Sequence, residues 1–496
     1  MVRTLLNNDV VFFCPSVDPS AYAKYGTTMV ASGASHASDY VNKLKRQNIH
    51  STGTAHFLSI NSHDTQAHPE LANAFALDIE QKPIPVPWIH HEATSYFGCV
   101  NNPAFRAYGR SKVCEAMASG PQGLHIDEYL GSAYAAVSDC GCFCPHCIHG
   151  FAQYLSKLNN PDLLSLAKAD TFDGFEYLAF VKTITTNTPQ YISLLPTIPL
   201  HDEFIDFQLQ CATANALSMA ALAADIVDSA VTLSATISIP SPEYLPIVPH
   251  LSYCVSNIDH EPQNMPKGLL QTVKAYRFAE ALQKPLAATA TPENWAFINS
   301  HNADNLACVW IALANACGQV FMAPNRILCS AIDNGPHWFC GSAATFAPLY
   351  QFIKNHGGLL NDFKAVGPLS VPLAAPTSFD TTHKRQTFTD AINATPISPI
   401  MATDTVWVFP RMKSDGAIAI HIVNLAFDLR ANRNIPAVNV EVHLPNSLFK
   451  RDFSGATVHS CNSEPYKIQV TNNENTCTFV LPEVKLWDIV TFEYWA

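Results

Sequence analysis

Charge is scarce in this chain. Only 14% of its 496 residues are Asp, Glu, Lys or Arg, and lysines and arginines never gather into a run. A basic run is what neutralises a phosphate backbone or an anionic lipid surface. Its lack, together with a net charge of −12, argues against nucleic acid as a partner. Long hydrophobic runs are missing too. The longest apolar runs, such as "ALSMAALAADIV" at 216–227, are shorter than the roughly 20 residues that cross a bilayer, so no membrane span is expected. Low-complexity segments are also absent. With 48% hydrophobic residues, the chain can bury a large core. The start, "MVRTLLNNDVVFFCPSVDPS", lacks the continuous apolar core and small-residue cleavage site of a secretory leader. As written it reads as cytoplasmic; a leader already removed would leave the same sequence and make the protein periplasmic or secreted.

What is present has a clear order. Through the first 365 or so residues, short β-rich runs alternate with amphipathic helical windows, which predicts a (β/α)8 TIM barrel. "GLHIDEY" (123–129) reads as a strand ending in acids, and so does "LSYCVSNIDHE" (251–261). "PAFRAYGRSKVCEAMASG" (103–120) opens with Pro and closes with Gly, as helices do. Beyond about Pro368 the pattern turns to alternating strands such as "GAIAIHIVNLA" and "AVNVEVHLP". This predicts a C-terminal antiparallel β-sandwich domain. The expected division is 1–367 for the barrel and 368–496 for the sandwich, with a Pro-rich linker around "AVGPLSVPLAAPT" (365–377).

In such a barrel, side chains at the C-terminal strand ends converge on one mouth. Three predicted strand ends carry glutamate: Glu128, Glu261 and Glu293. Cleaving a glycosidic bond takes one carboxylic acid to protonate the leaving oxygen and a second carboxylate to attack carbon or activate water. A single acid after a strand is more often a helix cap or a surface ion pair. The adjacent Asp127 and Glu128 on an apolar strand are harder to dismiss, because alternation turns one of them into the cleft.

Fifteen cysteines, an odd number on a large chain, suit buried thiols and one metal cluster better than a disulfide framework. Cys142, Cys144 and Cys147 lie within six residues of one another, and tetrahedral zinc needs one more ligand. Cys140 is near but would crowd the site; Cys99, in "YFGCVNNPAF", is the more interesting fourth. Four thiolates close the coordination sphere, so such a zinc is structural and catalysis needs no cofactor. Reduced free cysteines in a loop are the plainer alternative.

The stretch "PELANAFALDIEQKPIPVPWIHHEATSYFGCVNNPAFRAYGRSK" (69–112) resembles a segment of the glycoside hydrolase family 42 β-galactosidases, and "DEYLG" is similar to their Asn-Glu-Tyr-Gly. "CFCPHCIHGFAQYLSKL" and "KPLAATATPENWAF" also resemble passages of that family, and the likeness runs patchily over about 20–330. The resemblance implies a two-carboxylate, β-galactosidase-like glycosidase, expected to be exo-acting on oligosaccharides, and a structural zinc on Cys99, Cys142, Cys144 and Cys147. It places Glu128 on the acid/base glutamate and Asp127 on the asparagine before it. The chain departs where the family's nucleophile ends the seventh strand: that place reads "AATAT". Glu293 is the nearest acid and Glu261 the rival. The family's trimer-building domain also has no room here, so trimerisation is not carried over, although a second copy of the chain stays among the candidate partners.

Trp88, His90, His125, Asp259, His260, Asn294 and Trp295 are candidates for the sugar site, as aromatic faces and hydrogen-bonding groups near the acids. For Trp310, inside "ACVWIALANA", packing is the better reading. Two further functions compete with the glycosidase. One is a carbohydrate-binding barrel that has lost its nucleophile, which "AATAT" would permit. The other, weaker, is a zinc hydrolase with an open metal position.

Overall fold

The computed structural model describes residues 2–16, 18, 20–33, 38–89, 94–138, 140–239, 241–329, 337–366 and 400–494. Among these residues, eight parallel strands form one sheet: β1 (Val11–Phe12), β2 (Met29–Gly33), β3 (His50–His56), β4 (Gly123–Asp127), β5 (Thr232–Thr236), β6 (Tyr253–Ile258), β7 (Leu286–Ala290) and β8 (Val320–Phe321). They pair in chain order. A parallel bridge from Phe12 to Ala323 brings the last strand back to the first, and the Ala323 N–H donates to the Val11 carbonyl at 2.7 Å. The sheet is thus closed into the predicted barrel. Alternation along the strands sorts the side chains. Val11, Met29, Ala31, Tyr253, Val255, Ala287 and Val320 pack together in one cluster, while Val30, Leu124, Ile126 and Leu233 belong to the larger core that includes the surrounding helices.

The helical layer has two departures from an ideal repeat. Between β5 and β6 the described residues form only 3-10 turns, at Pro242–Tyr244 and Val248–His250. Between β4 and the long helix His201–Val227, the chain inserts several short helices with a core of their own, in which Phe143, Phe151, Tyr177 and Phe204 meet ring to ring. This insertion begins directly after Glu128. No helix among the described residues is long and apolar enough to cross a membrane.

The C-terminal part is antiparallel throughout. Val406–Met412, Ile418–Asn424, Trp487–Tyr494, Phe453–Ser460 and Ser463–Ile468 form the main sheet, which packs on a smaller one built from Ala437–Pro445, Thr476–Val484 and Val470–Asn472. This is the predicted β-sandwich. Its first strand, Lys364–Ala365, pairs with residues 411–412, ahead of the expected division at 367/368. Most of the expected linker lies in 367–399, outside the described residues.

The central strands of the main sheet are apolar on both faces for a physical reason. Val406, Val408, Ile420, Ile422 and Val490 face the small sheet, whereas Trp407, Phe409, Ala419, Val423, Trp487 and Ile489 join the core of the barrel. Helix Asp304–Ala316 is caught between barrel and sheet, so it is buried almost all round and hydrophobic on every side. Trp310 on that helix is fully buried, as the packing reading expects.

Candidate active site

"GLHIDEY" folds as strand β4, and its period-two pattern places Gly123, His125 and Asp127 on the inner face of the barrel. His125 is fully buried between β4 and β5. Its Nδ1 lies 3.0 Å from Ser234 Oγ and its Nε2 3.2 Å from Thr236 Oγ1. Burial pushes its pKa down to about 4, so it is a neutral strut beneath the mouth. Asp127, one step higher, is paired in register with His56 on β3, and the His56 Nε2 stands 3.4 Å from its Oδ2.

Strict alternation would turn Glu128 toward the barrel wall. The chain instead takes φ 56° at this residue, a left-handed conformation that a bulky side chain adopts at a cost. The strand ends there, and the side chain is re-aimed. Its Oε2 is buried with no hydrogen-bond partner among the described residues. Burial first, and then the neighbouring Asp127, push the Glu128 pKa up to about 7. A carboxyl that is still about half protonated at neutral pH and has an unengaged oxygen can act as a proton donor.

Three tyrosines lie within electrostatic reach of this carboxyl. Tyr129, Tyr134 and Tyr244 are each raised by burial first, and each also feels the negative charge of both Glu128 and Glu243. The rings of Tyr129 and Tyr244 meet edge to face at 5.9 Å. Trp88, 43% exposed, packs its ring against Tyr134 at 4.8 Å and against Phe97 at 5.8 Å. An exposed indole therefore sits beside one of these tyrosines, as a sugar platform would. His90 lies outside the described residues, as does His91.

The other predicted residues form a second group, around the ends of β6 and β7. Asn294 joins the two: its Oδ1 accepts from the His260 backbone N–H at 2.7 Å and its Nδ2 donates to Asp259 Oδ1 at 3.0 Å. Asp259 is exposed and also accepts from the Glu261 N–H at 3.0 Å. Glu261 sits at φ 40°, with its Oε2 accepting from Asn264 at 3.0 Å. Two more residues expected to touch sugar, besides the buried His125, do not reach the cleft. His260 is fully buried, bonded through Nδ1 to the Ile258 carbonyl and through Nε2 to Tyr276 Oη. Trp295, also fully buried, donates to Thr289 Oγ1 at 3.0 Å and stacks on Phe339. Both brace the wall of the barrel. Glu293 is exposed in the first turn of helix Pro292–His301, behind the Thr291 cap.

Sequence reasoning passed over Glu243, Tyr134, Tyr244, His56 and Arg326. Glu243 had a readable signal: "SPEYLP" is a Pro-bounded turn soon after β5, so the strand-end rule that selected Glu128 also covers it.

The four predicted cysteines do come together. The sulfurs of Cys99, Cys142, Cys144 and Cys147 are buried and lie within 4.8 Å of one another, with Cys99 3.4 Å from Cys144 and 3.5 Å from Cys147. Tetrahedral zinc with Zn–S bonds of about 2.3 Å would set sulfurs about 3.8 Å apart, so this donor set fits the ion. Asn101 Nδ2 lies 3.3 Å from the Cys147 sulfur. Cys140 stays outside the group, 3.3 Å from the Ser138 carbonyl. The cluster ties the β3–helix segment, which carries Cys99, to the insertion that follows Glu128.

The chain matches no protein-family model, and no curated protein matches it in sequence. Solved structures do share its shape. The α-L-fucosidase isoenzyme 2 from Paenibacillus thiaminolyticus superposes with a TM-score of 0.56 at 8% identity, over 99% of this chain and 100% of that one. A cycloisomaltooligosaccharide glucanotransferase from Paenibacillus sp. gives 0.54 at 10% identity, over 98% and 85%. A maltogenic α-amylase from Thermotoga neapolitana gives 0.51 at 9% identity, over 99% and 99%. These likenesses establish the architecture: this chain shares the barrel-plus-sandwich fold on which those carbohydrate-active enzymes are built.

Proposed function

We propose that this protein is a glycoside hydrolase, acting in β-galactosidase-like fashion on the end of an oligosaccharide, with Glu128 as the proton donor. The observation that carries the reading is Glu128 itself: a carboxyl at the end of the fourth barrel strand, raised to about 7 and left with a buried, unpartnered oxygen. The carbohydrate-active enzymes that share the fold add support, as does the exposed indole of Trp88. Asp127 helps keep Glu128 protonated by its own charge. The second carboxylate is drawn from Glu293, Glu261 and Glu243; the last is favoured by the three tyrosines it shares with Glu128.

The four cysteines would hold a structural zinc. With every coordination position taken by sulfur, such an ion braces the loops and leaves no place for water or substrate.

The test is turnover of a panel of nitrophenyl glycosides and plant or algal oligosaccharides by the full chain. Glu128→Gln should lose at least about 100-fold in kcat/KM on any substrate found. Equal turnover by both proteins would remove the assignment. Sugar binding without turnover across the panel would favour a carbohydrate-binding barrel instead. Alanine variants at 243, 261 and 293, each assayed with and without azide, identify the partner carboxylate: a nucleophile variant should regain turnover with azide.

A further inference from the structure

Arg326 is the only lysine or arginine among the described residues in the six positions that follow the C-terminal end of any barrel strand. It follows β8 on a two-stranded hairpin, Asn325–Cys329 with His337–Cys340. The register of that hairpin slips between Asn325 and Ile327, which makes Arg326 the extra residue of a bulge, with φ 54°. Bulges next to active sites re-aim side chains, and a left-handed conformation at an arginine is not adopted by default. Here the guanidinium carbon sits 5.0 Å from the ring centre of Trp338, a residue that remains 42% exposed. The same guanidinium and the Asp127 carboxylate both act on the Cys14 thiol, just beyond β1, so both charges lie near that thiol.

In a mouth edged by Asp127, Glu128, Asp259 and Glu261, an arginine would be expected to pair with an acid. Arg326 makes no ion pair and donates no side-chain hydrogen bond among the described residues. Stacking on an indole engages the face of a guanidinium and leaves its in-plane N–H fork available. That fork matches two oxygens of a carboxylate or sulfate, while indole surface takes the C–H face of a sugar ring.

We propose that Arg326 and Trp338 form a subsite for an anionic sugar residue, one bearing a carboxylate or a sulfate, at the β8 edge of the mouth. The inference rests on the glycosidase reading and narrows its substrate class.

Binding to the full chain carrying Glu128→Gln, so that nothing is turned over, tests it by calorimetry. The probes are a neutral galacto-oligosaccharide, an oligogalacturonide of the same length and a sulfated galactan oligosaccharide of that length. At least one anionic probe should bind about tenfold or more tighter than the neutral one, and the uronate and sulfate arms tell which group is recognised. Adding Arg326→Ala should abolish that preference, Arg326→Lys should restore only part of it, and rising salt should weaken it; melting curves check that each variant is folded. Neutral sugar bound as well as the anionic ones, or a preference that survives Arg326→Ala, overturns the subsite and leaves the glycosidase reading standing. Failure of every saccharide to bind or turn over would sink both.

Discussion

Arg411, on the sandwich, donates to Glu280, on the barrel helix Leu269–Ala281, at 2.8 Å, with 3% and 11% of the two side chains exposed. The same Nη2 also reaches the Phe363 carbonyl, and the other Glu280 oxygen lies 3.7 Å from Arg277. Space for the guanidinium exists because residue 318 is glycine, at φ 75°: a Cβ there would come within 2.1 Å of Nη2. Removing one partner strands a buried charge. Arg411→Ala should therefore cost about 3–5 kcal/mol, while the double change Arg411→Met with Glu280→Leu should cost much less. Denaturant midpoints of the single and double variants check this, and a double variant as unstable as the single one would contradict it.

Glu128 gives a prediction for both stability and activity. Its pKa rises from an ordinary 4.5 to about 7, so the folded state holds a proton that the unfolded chain releases. The associated stability is fully present below pH 4.5 and is lost as pH rises through 7. Glu128→Gln should thus be more stable than the parent at pH 8, by on the order of 3 kcal/mol, and nearly equal to it at pH 4. Activity should fall over the same range: kcat/KM of the parent should drop as pH climbs past about 7, as the donor loses its proton. A melting series and a pH profile on one active substrate read the two effects separately.

The cysteine cluster predicts metal content. Elemental analysis should find one zinc per chain, and Cys99→Ser or Cys147→Ser should lower both the zinc content and the melting midpoint. Brief exposure to a mild chelator should leave turnover unchanged, because a closed coordination sphere supplies no reacting position. Full-occupancy protein without zinc, equally stable, would leave the four thiols as packing.

Two tryptophans should separate binding from folding. Trp88→Ala is expected to weaken saccharide binding roughly tenfold with little change in melting, since 43% of the residue is already exposed. Trp295→Ala should instead destabilise the fold by about 3–5 kcal/mol, because its ring is fully buried against Phe339.

The barrel was legible where a strand is long enough to show its period. β2 through β8 appear in the residue pattern nearly where they fold. β1 is two residues long, too short to show a period, and only closure of the ring identifies it. The site was legible in part. Glu128 could be selected because it ends an apolar strand, but no pattern announces the left-handed turn that re-aims it. Glu293 illustrates the converse: "TPEN" is a cap, a first-turn proline and a first-turn acid, and it folds as the start of a helix rather than as a strand end. Trp295 has the asparagine and proline neighbours of a loop residue, yet these belong to the helix start, which turns the indole inward. Arg326 sits on a connection whose shape depends on contacts with distant segments, and the sequence carries no local sign of that.

The sheet that turns Trp407, Phe409 and Trp487 into the barrel's core has a practical outcome for anyone shortening this protein. A fragment ending before that sheet would bare the outer side of helix Asp304–Ala316, a wide greasy surface, and should aggregate on expression. The smallest fragment worth purifying therefore includes the last strand.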